Sequence, residues 1–218
     1  MVEHSRARRA EIGAARSQRT RLRLIEAAAR VIGLQGEHMP AIEDFIREAG
    51  VSRGTFYKHF ATRHDLMVAL WEKVGRDPYR QTWIAYAGVP DRAERVMIGV
   101  KHQLLRATRN PAWGWLVLRI WLEEGEMYED ILRLARADID AGKKEGRFTF
   151  LDSGYAANLV FGALMGATKT ILTSNPEEDF IVEATTMILR LLGLTIEESR
   201  RVALLPLPEL VAGSLSNG

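Results

Sequence analysis

Three observations predict an all-α fold. Apolar residues recur three and four positions apart, as in Leu24, Ala28, Val31 and Ile32 and again in Leu66, Ala69, Leu70 and Val74, the spacing that lays one stripe along a helix. No stretch shows the convincing apolar/polar alternation of a half-buried strand. Hydrophobic residues make up 47% of 218 positions, enough for a buried core.

The elements follow in order. Residues 1–16 read as a flexible basic arm: over the first 23 positions Arg6, Arg8, Arg9, Arg16, Arg19, Arg21 and Arg23 are set against Glu3 and Glu11 alone. A first helix begins at Ser17 and ends near Leu34, where Gly36 suits a left-handed cap. Ala41–Glu48 reads as a second, with Ile42, Phe45 and Ile46 inward and Gly50 ending it. Ser52 caps a third over 52–58, its hydroxyl oxygen accepting a first-turn N–H. Thr62 with Asp65 forms a capping box for a fourth, which Asp77-Pro78 interrupts. Further helices are expected near 91–109, as a short segment from Asn110-Pro111, and near 126–143, 152–173 and 177–193, with a tail over 204–218. The domain boundaries are therefore 1–16, 17–62, 63–203 and 204–218.

Charge and composition narrow the function. Residues 1–80 hold 15 Lys/Arg against 10 Asp/Glu, and residues 81–218 hold 15 against 18. A basic front and an acidic back suggest that the front meets a polyanion. With no cysteine, disulfides, thiolate chemistry and Cys-ligated zinc are excluded, and a reducing, cytoplasmic setting is expected. The charged N-terminus has no apolar leader segment. No phosphate-binding glycine loop, HExxH or GxSxG occurs, and the five histidines lack metal-ligand spacing. Glu123-Glu124 and Asp138-Asp140 read as solvated helix faces. An enzyme, a metal and a cofactor are therefore not indicated.

"AGVSRGTFYKHF", residues 49–60, joins two short helices through a glycine turn. That is helix-turn-helix grammar, in which the second helix enters the major groove of DNA. The outward candidates are Ser52, Arg53, Thr55, Tyr57, Lys58 and His59, with Phe56 and Phe60 anchoring the helix from behind. Gly54 costs about 1 kcal/mol inside a helix. It serves either close approach to DNA or a tight helix–helix contact. The Tyr57 hydroxyl suits a phosphate. Arg63, in the first turn of the next helix, suits a phosphate clamp.

Residues 20–70 resemble the DNA-binding domain of the tetracycline-repressor (TetR) family. The resemblance is carried by Thr20-Arg21, Ala27, Ala28, Gly36, Ala49-Gly50-Val51-Ser52, Gly54-Thr55, Tyr57, Phe60 and Leu66, without gaps from Asp44 to Leu66. It implies an all-α homodimer: an N-terminal three-helix helix-turn-helix domain, and a C-terminal helical domain for ligand binding and dimerisation. It further implies a repressor whose small-molecule ligand moves the linking fourth helix and lowers affinity for a palindromic double-stranded operator. Carried residue by residue, the DNA-binding set is Ser52, Arg53, Gly54, Thr55, Tyr57, Lys58, His59 and Arg63, with Thr20 and Arg21. The chain departs from the family pattern at Ala41, where a capping threonine is usual, and at Arg63, where lysine is usual.

Tryptophan is concentrated after residue 70, at Trp71, Trp83, Trp113, Trp115 and Trp121. Such a cluster reads either as solid core or as the lining of a hydrophobic or aromatic ligand site, with Trp83, Tyr86, Met97, His102, Trp113, Leu118 and Trp121 as candidates. Over residues 155–173, Gly162, Ala163 and Gly166 allow close helix approach; a membrane span is disfavoured because Asn158 and Lys169 interrupt the run. With Ala184 and Ile188 they are the candidate dimer residues, since this is where the family pairs its subunits. Two alternatives stay open: a DNA-binding regulator controlled by a protein partner and lacking a pocket, and a helical enzyme with a vestigial head.

Overall fold

The computed structural model describes residues 2–38, 40–123, 125–174 and 176–208. Glu124 and residues 209–218 of the expected tail lie outside them. The described residues form α-helices and one π-helical segment, with no strand. They fall into two compact units, 1–73 and 74–218.

The first unit contains α1 (Val2–Gln35), α2 (Ile42–Ala49), α3 (Arg53–His59) and α4 (Arg63–Leu70). α1 is helical across the stretch expected to be a flexible arm. Over residues 2–16 no proline and a single glycine, Gly13, interrupt it, and its Ala, Arg and Glu are strong helix formers. Its side chains from Glu11 to Arg16 are nonetheless exposed. Leu24, Ala28 and Ile32 of α1 form a dry core with Phe45, Phe56, Phe60, Leu66 and Leu70, each at most 2% exposed. α1 packs on both α2 and α4, so the unit runs past the expected boundary at residue 62.

Capping explains where the short helices begin. The Ser52 hydroxyl accepts the Thr55 N–H at 3.2 Å. Thr62 and Asp65 exchange both bonds of a capping box, at 2.9 and 3.1 Å. Ala41 has no oxygen to offer α2, and only half of such a box survives: the Asp44 carboxylate accepts the Ala41 N–H at 2.9 Å. Gly50 ends α2 at φ 59°, a left-handed conformation that favours glycine.

A π-helical segment, Trp71–Gly75, follows α4. Its wider turn breaks the apolar register, and Val74, expected in the buried stripe, is exposed. Asp77-Pro78 does more than interrupt. Proline lies in the first turn of a new helix, α5 (Asp77–Tyr86).

The second unit continues with α6 (Arg92–Arg109), α7 (Pro111–Glu123), α8 (Gly125–Lys144), α9 (Ser153–Thr173), α10 (Phe180–Arg190) and α11 (Ile196–Ala203). α7 spans 13 residues where a short segment was expected. α11 was not anticipated, although Thr195 caps it by accepting the Glu198 N–H at 3.2 Å. α6 is the hub, touching α5, α7, α8, α9, α10 and α11. Its buried face holds Met97, Ile98, Val100 and Leu104. Arginines staple the periphery: Arg147 pairs with Asp91 at 2.8 Å and Glu198 at 2.6 Å, and Arg92 and Arg95 share Asp138, each at 2.9 Å.

Candidate nucleic-acid interface and ligand cavity

α3 turns one face to the core and one to solvent. Phe56 is fully buried and Phe60 is 2% exposed, with ring centroids 6.1 Å apart. On the outer face Ser52, Arg53, Gly54, Tyr57 and Lys58 are exposed, and Thr55 and His59 are half-buried. A Cβ built on Gly54 would meet nothing within 4 Å. Among the described residues no tight helix–helix contact therefore explains Gly54, and there is room for an approaching backbone.

The outer residues are already oriented. Arg53 reaches Glu43 at 3.2 Å and lies over the Tyr57 ring, 5.7 Å from its centroid. The hydroxyls of Ser52 and Thr55 are 2.8 Å apart. Burial, reinforced by Lys58 and Arg21, pulls the His59 imidazole below its ordinary pKa. His59 is therefore a neutral donor and acceptor at pH 7, not a cation. Arg21 stacks on Phe60 at 4.9 Å, and the Thr20 hydroxyl donates to the Arg16 carbonyl at 3.1 Å. Arg63 opens α4 and is half-buried. One contributor was missed from the sequence: Arg23 donates to the Gly50 carbonyl at 3.2 Å and braces the turn between α2 and α3. Nothing local in the sequence marks a contact spanning 27 residues.

The second unit holds a cavity of about 80 Å³ walled by α5, α6, α7, α8 and α9. Of the expected ligand residues, Trp83, Tyr86, His102 and Trp113 line it. Met97, Leu118 and Trp121 do not. Met97 and Leu118 are buried on other faces of their helices, and Trp121, two turns beyond Trp113, has rotated away from the wall. Sequence reasoning missed Gln103, Arg106, Asp138 and Phe161 on the lining.

Most polar groups of this wall are engaged. The Tyr79 hydroxyl donates to Gln103 Oε1 at 2.8 Å, and Gln103 Nε2 donates to Thr168 Oγ1 at 3.0 Å. Thr82 Oγ1 donates to the Pro78 carbonyl at 2.9 Å. Burial, with Asp138 beside it, pushes the Tyr86 phenol well above its ordinary pKa, so it stays a proton donor. Trp113 donates its indole N–H to the Gly75 carbonyl at 3.4 Å. A second, wider cavity of about 440 Å³ adjoins the first through Thr82, His102 and Arg106, and adds Arg109 and Asn110.

α9 and α10 present an unsheathed apolar face. Tyr155, Leu159, Met187 and Leu191 are exposed, at 73, 61, 57 and 40%. Gly162, Ala163 and Ala184 are half-buried beside them and Gly166 is exposed. A Cβ on either glycine would touch nothing. Ile188 does not belong to this face: at 2% exposure it fills the core, and its neighbour Met187 points outward instead. α9 is long and apolar enough to cross a membrane, but it packs against α6, α7, α8 and α10 as a core helix does.

Comparison with known proteins agrees with this geometry. Residues 24–70 match the model of bacterial regulatory proteins of the tetR family, and residues 91–204 match that of the tetracyclin repressor-like C-terminal domain. The chain is 24% identical over 183 residues to the fatty acid metabolism regulator protein of Bacillus subtilis (strain 168), covering 78% of this chain and 92% of that one. It is 34% identical over 56 residues to the HTH-type transcriptional regulator AcrR of Shigella flexneri, 26% of each chain. Among solved structures, RolR in complex with resorcinol superposes with a TM-score of 0.69 at 26% identity, over 91% of this chain and 100% of that one. The fold is shared with FadR from Bacillus subtilis in complex with stearoyl-CoA, at TM-score 0.64 and 16% identity, over 79% and 97%. With one family model covering the DNA-binding helices and another covering more than half of the sequence, the chain belongs to the TetR family of DNA-binding transcriptional regulators.

Proposed function

We propose that the protein is a cytoplasmic homodimeric repressor that binds a palindromic operator and releases it when a small apolar or aromatic ligand enters the cavity of the second unit. The observation that carries the DNA half is the division of α3: two buried phenylalanines behind, and Ser52, Arg53, Gly54, Tyr57 and Lys58 exposed in front. Ser52, Tyr57, Lys58 and Arg63 hold phosphates, and Arg53 and Thr55 read base edges in the major groove. The Arg53–Glu43 pair must open, or carry Glu43 with it, when Arg53 reaches a base.

The ligand half is supported by the cavity and by the likeness to RolR, whose structure holds resorcinol. A void of about 80 Å³ is smaller than the ~150 Å³ apolar cavity that takes up benzene. A single ring therefore enters only by moving the walls, and that displacement couples binding to conformation. Trp113 is the first lever, because it both lines the cavity and holds the Gly75 carbonyl of the π-helical segment. The open α9–α10 face supports pairing with a second copy, with Gly162 and Gly166 letting the helices approach.

Selection of random duplexes with the purified protein tests this reading. A palindromic winner, bound by a dimer in gel shift and weakened by Lys58→Ala, is expected. Indifference to every duplex at low ionic strength overturns it.

A further inference from the structure

This inference rests on the reading that the cavity of the second unit is the effector site. Around that cavity the Tyr79, Thr82, Gln103, Arg95 and Asp138 side chains already have partners. Two groups do not. His102 Nε2 is buried with no hydrogen-bond partner. The Arg106 guanidinium, half-buried, makes neither hydrogen bond nor ion pair among the described residues; it lies over the Trp113 ring, 5.7 Å from the centroid.

Both groups stand where the apolar cavity meets the wider one, and Arg109 adds a second guanidinium on the outer side. The nearest acidic influence on Arg106 is Asp77, which is committed to Arg80 at 3.0 Å and to Gln81 at 2.8 Å. The carboxylate of the wall itself, Asp138, is shared by Arg92 and Arg95. A half-buried guanidinium with no ion pair among the described residues, beside an imidazole whose Nε2 has no partner, carries a desolvation cost that an anion would remove.

We propose that the effector is an anionic amphiphile: a small aromatic or short-chain carboxylate, its ring or chain among Tyr79, Trp83 and Trp113, and its carboxylate held by Arg106 and His102 at the neck between the two cavities. Arginine suits this role because its planar fork matches a carboxylate with two parallel bonds. The imidazole supplies a third donor from its Nε2.

The test is calorimetric titration of the full-length protein with benzoate, phenylacetate and octanoate, each against its neutral amide, and with benzoyl-CoA. At least one acid should bind about tenfold or more tightly than its amide. Arg106→Gln should abolish that preference while leaving amide binding within about twofold, and Arg106→Lys should restore most of it. His102→Phe should weaken the acid and not the amide. Melting curves confirm that each variant is folded. Amides binding as well as the acids, or an acid preference that survives Arg106→Gln, overturns the proposal. So does benzoyl-CoA binding more tightly than every free acid, since the anion at the neck would then be phosphate. No binding by any acid at 10 mM also overturns it. Gel shifts run in parallel keep the two readings apart. An Arg106-dependent acid that leaves DNA binding unchanged upholds the site and sinks the effector role. Operator binding with no acid response upholds the regulator and sinks the site.

Discussion

Aromatic rings do opposite work in the two units. In the first, Phe45, Phe56 and Phe60 are at most 2% exposed and close a dry core, so all chemistry is pushed to the outer face of α3. In the second, Tyr79, Trp83 and Trp113 stand around a void, so the chemistry is drawn inward. On the function proposed, one unit works by its outside and needs rigidity, and the other works by its inside and needs walls that can yield. The packing reflects this: a filled core tolerates no guest, whereas a lined cavity keeps the attraction of its walls unspent until one arrives.

The sharpest way to break the contrast is to empty the first unit and fill the second. Phe56→Ala should destabilise the N-terminal unit by about 3–5 kcal/mol and abolish operator binding, read as loss of an early melting transition. Val100→Phe, which adds a ring to the cavity wall, should cost about 1–3 kcal/mol at most, leave operator affinity intact, and make the protein unresponsive to ligand. Equal effects of the two changes on DNA binding would erase the distinction between the units.

Smaller effects sharpen it. Thr55→Val should relax base preference at one operator position by about 1–3 kcal/mol, measured on single-base operator variants. Lys58→Ala should instead weaken all sequences alike and lower the salt slope of log K by about 1. On the other unit, Leu159→Glu should convert dimer to monomer in sedimentation, because it places a charge in the middle of the open face. The smallest effect lies at the periphery. Hydrogen bonds from Arg201 and Arg147 hold the Glu198 carboxyl down at about 2, against 4.5 ordinarily. Burial raises Asp91, but the hydrogen bond from Arg147 outweighs it and the net shift is also downward. For carboxylates lowered on folding, the added stability is present above their unfolded pKa. It is lost as pH falls from about 4.5 toward about 2. Glu198→Gln should flatten the fall in melting temperature across that window.

The same contrast explains what the sequence disclosed. The reading head is built from one contiguous run, in which Gly50, Ser52, Thr62 and Asp65 act on neighbours a few residues away. Local rules suffice for such contacts, so α2, α3 and the start of α4 lie within a residue or so of where the sequence places them, whereas the end of α4, where the π-helical segment intervenes, does not. The cavity draws on five helices, and its wall is settled by which face each helix turns inward. Composition identified aromatic residues but not their rotation: Trp113 and Trp121 are of one kind in sequence, and only the first reaches the wall. Nothing near Arg106 in sequence marks it as a cavity residue or shows that its guanidinium has no ion-pair partner. α1 extends beyond the start expected at Ser17 for another reason: arginine is a good helix former, no proline follows the run, and one glycine does not break the helix.

The bond from Tyr79 through Gln103 to Thr168 ties α5, α6 and α9 together across the cavity wall. A guest smaller than a single ring leaves those two bonds unbroken and occupies the space without altering the helices. A larger one must part them, at about 0.5–1.5 kcal/mol each. Occupancy and signalling are thereby separable: compounds below a certain girth should act as silent blockers, and only bulkier congeners as inducers.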